Sequence, residues 1–524
     1  MKRIPALHPF LFAAYAIIAI YAENANEIPT RQILRPLVII LVFTVLIYLI
    51  TFKATKDHQR AGLLTTLALF WVVYFGHIYF FAALFQAVRS LSHHREIILA
   101  IWTLLIVFLA SPASWKQLRR PVLVTRFLNA VAIIVVITPA LTTTFTLTQT
   151  AQQTRSLQSH FATIQRITLA RPENPPDIYY IIVDGYGRAD ILQDYFGYDN
   201  RKFVDFLTSK GFYVAAESRA NYMQTALSLS SAFGMDYLNF LGNDMKDSQN
   251  RGPLTVLFHD SPVRASLEEA GYQFITIASP YLLSQIRNAD QYLSCFSSPA
   301  TEFEALLLST TIPGVFIEDF HLDFPLPNYE THRAFIRCDL QLLPEVAAMS
   351  GPKFVFVHIL APHPPFVFDG FGNPIQPDRP YFIGDATGFN GTRAEYILGY
   401  TGELTFLNTG LTEMLTGILE NSVNPPLIII QGDHGPGSMT SFISTDETCL
   451  RERFSILNAY YFPDQNYADL YPAITPVNSF RVIFNTYFRT DLQRLEDRLF
   501  YSTWLRPYRF FDVTSQSQKS CGQP

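Results

Sequence analysis

The sequence predicts two parts of different class: an α-helical membrane domain of about five transmembrane helices, then an α/β extracytoplasmic domain on a mostly parallel sheet. Three observations carry this. Of 524 residues, 49% are hydrophobic and 16% charged, an apolar, charge-poor balance in a chain too long for one compact core. Long apolar runs crowd into the first third. From residue 177 onward, short β-branched and aromatic runs alternate with helical stretches, the pattern of βαβ units whose parallel sheet is buried on both faces.

The apolar runs cover about 8–22, 33–52, 62–86, 97–111 and 122–146, most of them near the roughly 20 residues that cross a bilayer. The first and fourth are short and fit a tilted or interfacial placement. The first follows Lys2 and Arg3, yet no small-residue cleavage site comes after it and further spans do, so it reads as a retained span and not a signal peptide. Basic residues set the orientation. Lys53, Lys56 and Arg60 follow the second run, and Lys116, Arg119, Arg120 and Arg126 surround the start of the fifth. The other loops are less basic, with Arg31, Arg35, Arg89 and Arg95. This places the N-terminus in the cytoplasm of a multi-pass cell-membrane protein, with everything after the fifth span outside. The domains expected are therefore 1–146 in the membrane, 147–176 as a polar juxtamembrane helix and proline-rich linker, 177–515 as the outer domain, and 516–524 as a free tail.

Within the outer part, strand-like runs stand at 177–184, 272–279, 353–360, 427–433 and 454–462, and a helix is expected over 394–420. In that helix Leu404, Leu407, Leu411, Leu415 and Ile418 share one face. The first run, DIYYIIVDGYGRAD, ends on Asp184 before a glycine turn. Ligands of open α/β sheets bind beyond the carboxyl ends of strands, so this carboxylate faces the expected site; as a lone feature it could equally cap the turn. The run LIIIQ ends in GDHG and sets Asp433 and His434 at a second strand end. Two carboxylates and an imidazole suit one divalent ion, Zn²⁺ or Mn²⁺, with Mg²⁺ as a further choice. Between them, NYMQTALSLSSAFG puts Thr225 ahead of a small-residue run able to form a helix. Its hydroxyl would then sit at a positive helix N-terminus, where a metal could activate it as a nucleophile.

The ordered set Asp184, Thr225 in NYMQTALS, and Asp433-His434 in GDHG resembles the alkaline phosphatase and sulfatase superfamily. With preceding spans, it looks most like the membrane-anchored branch of lipoteichoic acid synthases and phosphoethanolamine transferases. The resemblance implies that Asp184, Thr225, Asp433 and His434 bind one metal and that Thr225 carries the transferred group. By the same resemblance His363, in HILAPHPPF, would contact phosphate or protonate the leaving group, a task suited to histidine. His358 in the same stretch is a further substrate-binding candidate or a buried structural residue. Arg188 and Asn221, beside the expected ligands, could hold anionic oxygens or serve as turn residues. The substrates implied are a membrane lipid or an envelope glycan.

The chain also departs from its relatives. The lipoteichoic acid synthases and phosphoethanolamine transferases have glutamate at the position of Asp184. No Cys/Ser-x-Pro-x-Arg motif surrounds Thr225, DSPVR at 260–264 has its serine in the wrong place, and sulfatases tend to have Asp-Asn where Asp433-His434 stand. Sulfate-ester hydrolysis is thereby disfavoured. No histidine follows His434, so the downstream ligand of a second zinc, as in alkaline phosphatases, is missing and the resemblance implies one metal. A net charge of −5 offers no basic field for nucleic acid. The expectation is a metal-dependent transferase or hydrolase of phosphoryl-type groups. A phosphatase, phosphodiesterase or sulfuric-ester hydrolase on soluble esters is the alternative within its class, and a non-catalytic membrane binding module the alternative outside it. All four cysteines follow residue 290, and the pair nearest in sequence, Cys295 and Cys338, is the candidate disulfide. The oligomeric state is not legible.

Overall fold

A computed structural model describes residues 4–25, 28, 30–78, 95–111, 120–163, 167–295, 301–319, 328–377 and 381–521. The chain divides into two compact units: Met1–Gln152 with Ser298–Leu326, and Gln153–Ser297 with Pro327–Pro524.

The first unit is helical: His8–Asn24, Leu34–Thr55, His58–Val73, Arg95–Ala110 and the start of Pro121–Thr163. Among the described residues two helices are long and apolar enough to cross a membrane, Thr30–Thr55 and Pro121–Arg155, not the five expected. His58–Val73 has 16 residues, about 24 Å at 1.5 Å per residue, short of a hydrocarbon core of about 30 Å, while the residues just before Arg95–Ala110 lie outside the described ones. His8–Asn24 has 17. The rest of the expected third span, 79–86, lies outside the described residues. The juxtamembrane segment is no separate helix, because one helix continues from Pro121 to Thr163. Asn129, polar in an apolar stretch, accepts the backbone N–H groups of Leu7 and His8 at 3.0 and 2.9 Å and so satisfies donors that the start of the first helix cannot pair internally.

This unit also contains a segment that the sequence analysis left in the outer domain. Helices Glu302–Ser309 and Ile312–Asp319 belong to it. Phe303 meets the Tyr21 ring edge-on at 6.1 Å, and Glu304 pairs with Arg35. Their apolar residues could not be told from core helices by periodicity, and their distance in sequence from the first third hid where they pack.

The second unit is organised by a seven-stranded sheet in the order β2-β7-β6-β1-β5-β3-β4. The strands are β1 (Asp177–Val183), β2 (Tyr213–Val214), β3 (Gln273–Ile277), β4 (Gln291–Leu293), β5 (Lys353–Ile359), β6 (Pro426–Gln431) and β7 (Asn458–Tyr461). β1 is central and pairs in parallel with β5 and β6; β7 runs antiparallel against β6 and β2. All seven residues of β1 are buried, as both faces are covered. Ile178, Tyr180 and Ile182 enter one core with Phe233, Phe356 and Phe480, while Tyr179, Ile181 and Val183 enter the other with Leu404, Leu407 and Leu411. The strict alternation is the two-residue period of a pleated strand. Helix Arg393–Asn421 buries the five apolar residues expected of it. Within the expected strand at 454–462, the first residue ends a short helix, Leu450–Phe454, and the ladder begins only at Asn458.

A second sheet, β8 (Phe500–Thr503) with β9 (Arg506–Asp512), lies in the region expected to pack on the domain. Cys295 and Cys338 form the expected disulfide, with Cα atoms 5.8 Å apart. Cys449 and Cys521 form another, so the tail is not free at Cys521 as expected. Its backbone N–H also donates to the Tyr195 hydroxyl at 3.2 Å.

Candidate metal centre

The two central strands deliver the acids. Asp184 follows β1 directly, and Asp433 and His434 follow β6 after Gly432. A Cβ on Gly432 would lie 2.6 Å from the Tyr186 carbonyl, so only glycine lets the two strand-end turns approach this closely. Gly185 takes φ +73°, the left-handed region that turns the chain sharply after Asp184. Its N–H then donates to Asp433 Oδ1 at 3.1 Å, locking one carboxylate to the turn that presents the other.

Thr225 is the first residue of helix Thr225–Gly234. Gln224, just before it, is extended and gives no side-chain cap; its amide instead donates to the Ser502 carbonyl and hydroxyl, both at 3.1 Å. The first N–H groups of the helix therefore keep their positive end uncapped by a side chain. Ser228, one turn on, donates to the Asp433 carbonyl at 2.7 Å and pins this helix against the β6 turn.

Four groups converge as a result. Asp184, Asp433 and His434 each offer a ligand atom within 4.8 Å of the others, and all three are buried. His434 Nε2 lies 3.4 Å from Asp184 Oδ1, 3.4 Å from Asp433 Oδ2 and 3.2 Å from Thr225 Oγ1. Asp184 Oδ1 and Asp433 Oδ2 are buried without a hydrogen-bond partner. Orphaned carboxylate oxygens at full burial are costly unless a cation joins them, so the donor set fits a divalent ion. His434 Nδ1–H donates to the Gly435 carbonyl at 3.0 Å, which leaves Nε2 as the lone-pair atom facing the acids, the arrangement of a ligating imidazole. Burial lowers the His434 pKa, the Arg453 charge lowers it further, and Asp433, Asp184 and Asp385 oppose both; the neutral ring is the form that ligates. Burial alone would raise Asp184, but the charge of His363 and the hydrogen bond from His358 hold it well below the usual carboxylate range.

His358 is fully buried inside β5 and off the cleft wall. It pairs with Ile182 in the sheet register, and Asp184, two residues on, projects from the same face, so Nε2 comes to 3.1 Å from Asp184 Oδ2. Its other nitrogen meets Ser284 Oγ at 2.9 Å. His363 lies on the cleft, its ring centroid 6.4 Å from that of His434. Its Nδ1–H donates to the Pro364 carbonyl at 2.5 Å, leaving Nε2 to face other groups.

Arg188 and Asn221 are not brought to this cleft. Arg188 is bound to Asp190 at 2.6 and 2.9 Å and to the Ser218 carbonyl at 2.9 Å. Asn221 donates to the Arg498 carbonyl at 3.0 Å and accepts from the Val477 N–H at 2.9 Å. Both side chains are engaged in these contacts, so neither has donors directed at an anion there. Two residues of the cleft escaped sequence reasoning, Asp385 and Arg453. They are paired at 2.5 Å with both side chains buried. An acid in a loop and a basic residue in an Arg-Glu-Arg run carry no motif, so only the fold reveals them.

The cleft has a volume of about 690 Å³ and holds Asp184, Thr225, His363 and His434 on its walls. Phe382, Ile443 and Leu505 also line it, with 65%, 77% and 62% of their surfaces exposed.

Similar solved structures include the C-terminal periplasmic domain of EptC from Escherichia coli, 12% identical over 66% of this chain and 96% of that one, with a TM-score of 0.41. The corresponding domain of the phosphoethanolamine transferase EptC from Campylobacter jejuni is 12% identical over 62% and 94%, with a TM-score of 0.35. A 2-O GAG sulfatase is 13% identical over 63% and 77%, with a TM-score of 0.41. No family model and no curated protein sequence matches the chain.

Proposed function

We propose that this protein is a membrane-anchored, single-metal enzyme of the alkaline phosphatase and sulfatase superfamily that moves a phosphoryl-type group, of the phosphoglycerol or phosphoethanolamine class, through Thr225. The observation that carries this reading is the approach of Thr225 Oγ1 to His434 Nε2 beside the unpartnered oxygens of Asp184 and Asp433. Asp184, Asp433, His434 and Thr225 would hold one divalent cation, Zn²⁺, Mn²⁺ or Mg²⁺, which supplies charge that eases ionisation of the threonine hydroxyl and offsets charge on the phosphoryl oxygens.

Thr225, its hydroxyl proton released to solvent, then forms an oxygen–phosphorus bond as the donor's bond from phosphorus to its alcohol oxygen breaks. The departing oxygen takes a proton from His363 Nε2, and a phosphothreonine diester is left on the chain. An acceptor hydroxyl or water gives its proton back to His363, attacks phosphorus and releases Thr225, whose oxygen takes a proton back from solvent. His358 would hold the Asp184 carboxylate in place from behind, and the uncapped helix start favours anionic oxygens beside Thr225.

The exposed apolar residues at the cleft, Phe382, Ile443 and Leu505, support an amphiphilic donor, because soluble esters gain nothing from them. In this reading the helical unit anchors the chain in the membrane and the second unit lies outside. Turnover of a chromogenic phosphodiester by detergent-purified protein tests the proposal. Chelation and Thr225→Ala are each expected to abolish turnover, and full turnover by Thr225→Ala would remove the reading.

A further inference from the structure

Arg453 grips both halves of the site without touching any of the four converging groups. Its Nε–H donates to the Met223 carbonyl at 2.9 Å, two residues before Thr225, and its Nη1–H donates to the Gly435 carbonyl at 3.1 Å, one residue after His434. The Gly435 N–H in turn donates to the Arg453 carbonyl at 2.7 Å, so one residue holds both backbone groups of Gly435. That same Gly435 carbonyl is the acceptor of His434 Nδ1–H. The peptide that orients the imidazole is thus fixed from the far side by a guanidinium.

The guanidinium is itself fixed. Arg453 is 1% exposed, and a buried cation needs a paired anion. Asp385 provides it at 2.5 Å through Oδ2, while its Oδ1 accepts from the Tyr396 hydroxyl at 2.8 Å. Tyr396 in turn accepts the Gly437 N–H at 2.9 Å. The loop after His434 is shaped to this arrangement. A Cβ on Gly437 would come 2.4 Å from Asp385 Oδ1, and one on Gly435 would come 2.1 Å from the Glu452 carbonyl.

We propose that the Asp385–Arg453 pair is a positioning clasp that sets the separation of His434 from Thr225 by tying the Gly435 and Met223 carbonyls to one planar cation. This rests on the reading of Asp184, Thr225, Asp433 and His434 as a cation site. Arg453 and Asp385 are positioning residues, not ligands. The planar fork is essential, since an ammonium is a single point that cannot span two carbonyls and a carboxylate in fixed directions.

Zinc titration of chelator-treated, detergent-purified full-length chain tests the clasp, with affinity read by calorimetry and fold read by the melting midpoint of the zinc-free protein. Wild type is expected to bind one zinc. Arg453→Met should bind it ten- to a hundredfold more weakly, the usual scale for losing support behind a ligand, and Arg453→Lys should fall between. Gly437→Ala, which crowds Asp385 and leaves every proposed ligand in place, should weaken zinc without lowering the zinc-free midpoint in proportion. If Arg453→Met does not fold, Gly437→Ala and Arg453→Lys decide. Wild-type zinc affinity in the folded variants overturns the clasp alone, whereas a wild-type chain that binds no zinc overturns the cation site and the clasp with it.

Discussion

His434 Nε2 lies 3.2 Å from Thr225 Oγ1 across 209 positions of sequence. The contact exists because β6 ends where helix Thr225–Gly234 begins, and Ser228 holds that helix to the Asp433 carbonyl. Removing the imidazole, His434→Ala, is expected to lower phosphodiester turnover by more than about a hundredfold and to reduce zinc stoichiometry to near zero. Metal analysis beside steady-state kinetics checks both; turnover with no bound zinc would contradict the assignment.

His363 is given the proton transfer to the leaving oxygen. His363→Ala is expected to slow donors with an alkyl alcohol leaving group about 10²- to 10⁴-fold. A p-nitrophenyl donor, whose leaving group departs without a proton, should lose far less. Equal losses on both donors would assign His363 to binding and not to acid catalysis.

Glu403 shows a pH dependence that can be worked out. Its Oε1 accepts the Val367 N–H at 2.8 Å, Oε2 is buried without a hydrogen-bond partner, and burial pushes its pKa from 4.5 up to about 8. The folded chain therefore keeps a proton that the unfolded chain has lost, so between these two values stability falls as pH rises, and the cost is complete above about 8. Glu403→Gln removes that titration. Its melting midpoint should match wild type near pH 5 and exceed it near pH 9; parallel curves at both pH values would contradict the burial argument.

The Cys449–Cys521 disulfide closes a loop of 72 residues. Chain entropy alone assigns such a closure about 4 kcal/mol. Cys521→Ser is expected to lower the melting midpoint of the second unit while leaving zinc stoichiometry at one, because no proposed ligand lies on the tail. Unchanged melting would show that the tail adds nothing to stability.

Much of this was legible in the sequence, for identifiable reasons. β1 and β6 are buried on both faces, so their residues form apolar runs that end on polar residues at the carboxyl edge of the sheet, and Asp184 and Asp433 stood out at those ends. Helix Arg393–Asn421 declared itself through Leu404, Leu407 and Leu411. Sequence reasoning faltered where meaning came from tertiary contacts. Arg188 and Asn221 adjoin the site in sequence but are committed to Asp190 and Val477. Arg453 and Asp385 act through a glycine carbonyl and leave no pattern.

Intact-mass analysis of the full-length chain after incubation with phosphatidylethanolamine and with phosphatidylglycerol tests the central claim most directly. The account predicts a mass increase of one phosphoethanolamine or one phosphoglycerol group on Thr225, absent from Thr225→Ala. A zinc-loaded wild-type chain that consumes either lipid with no adduct trapped at Thr225, even on rapid acid quenching, would contradict it.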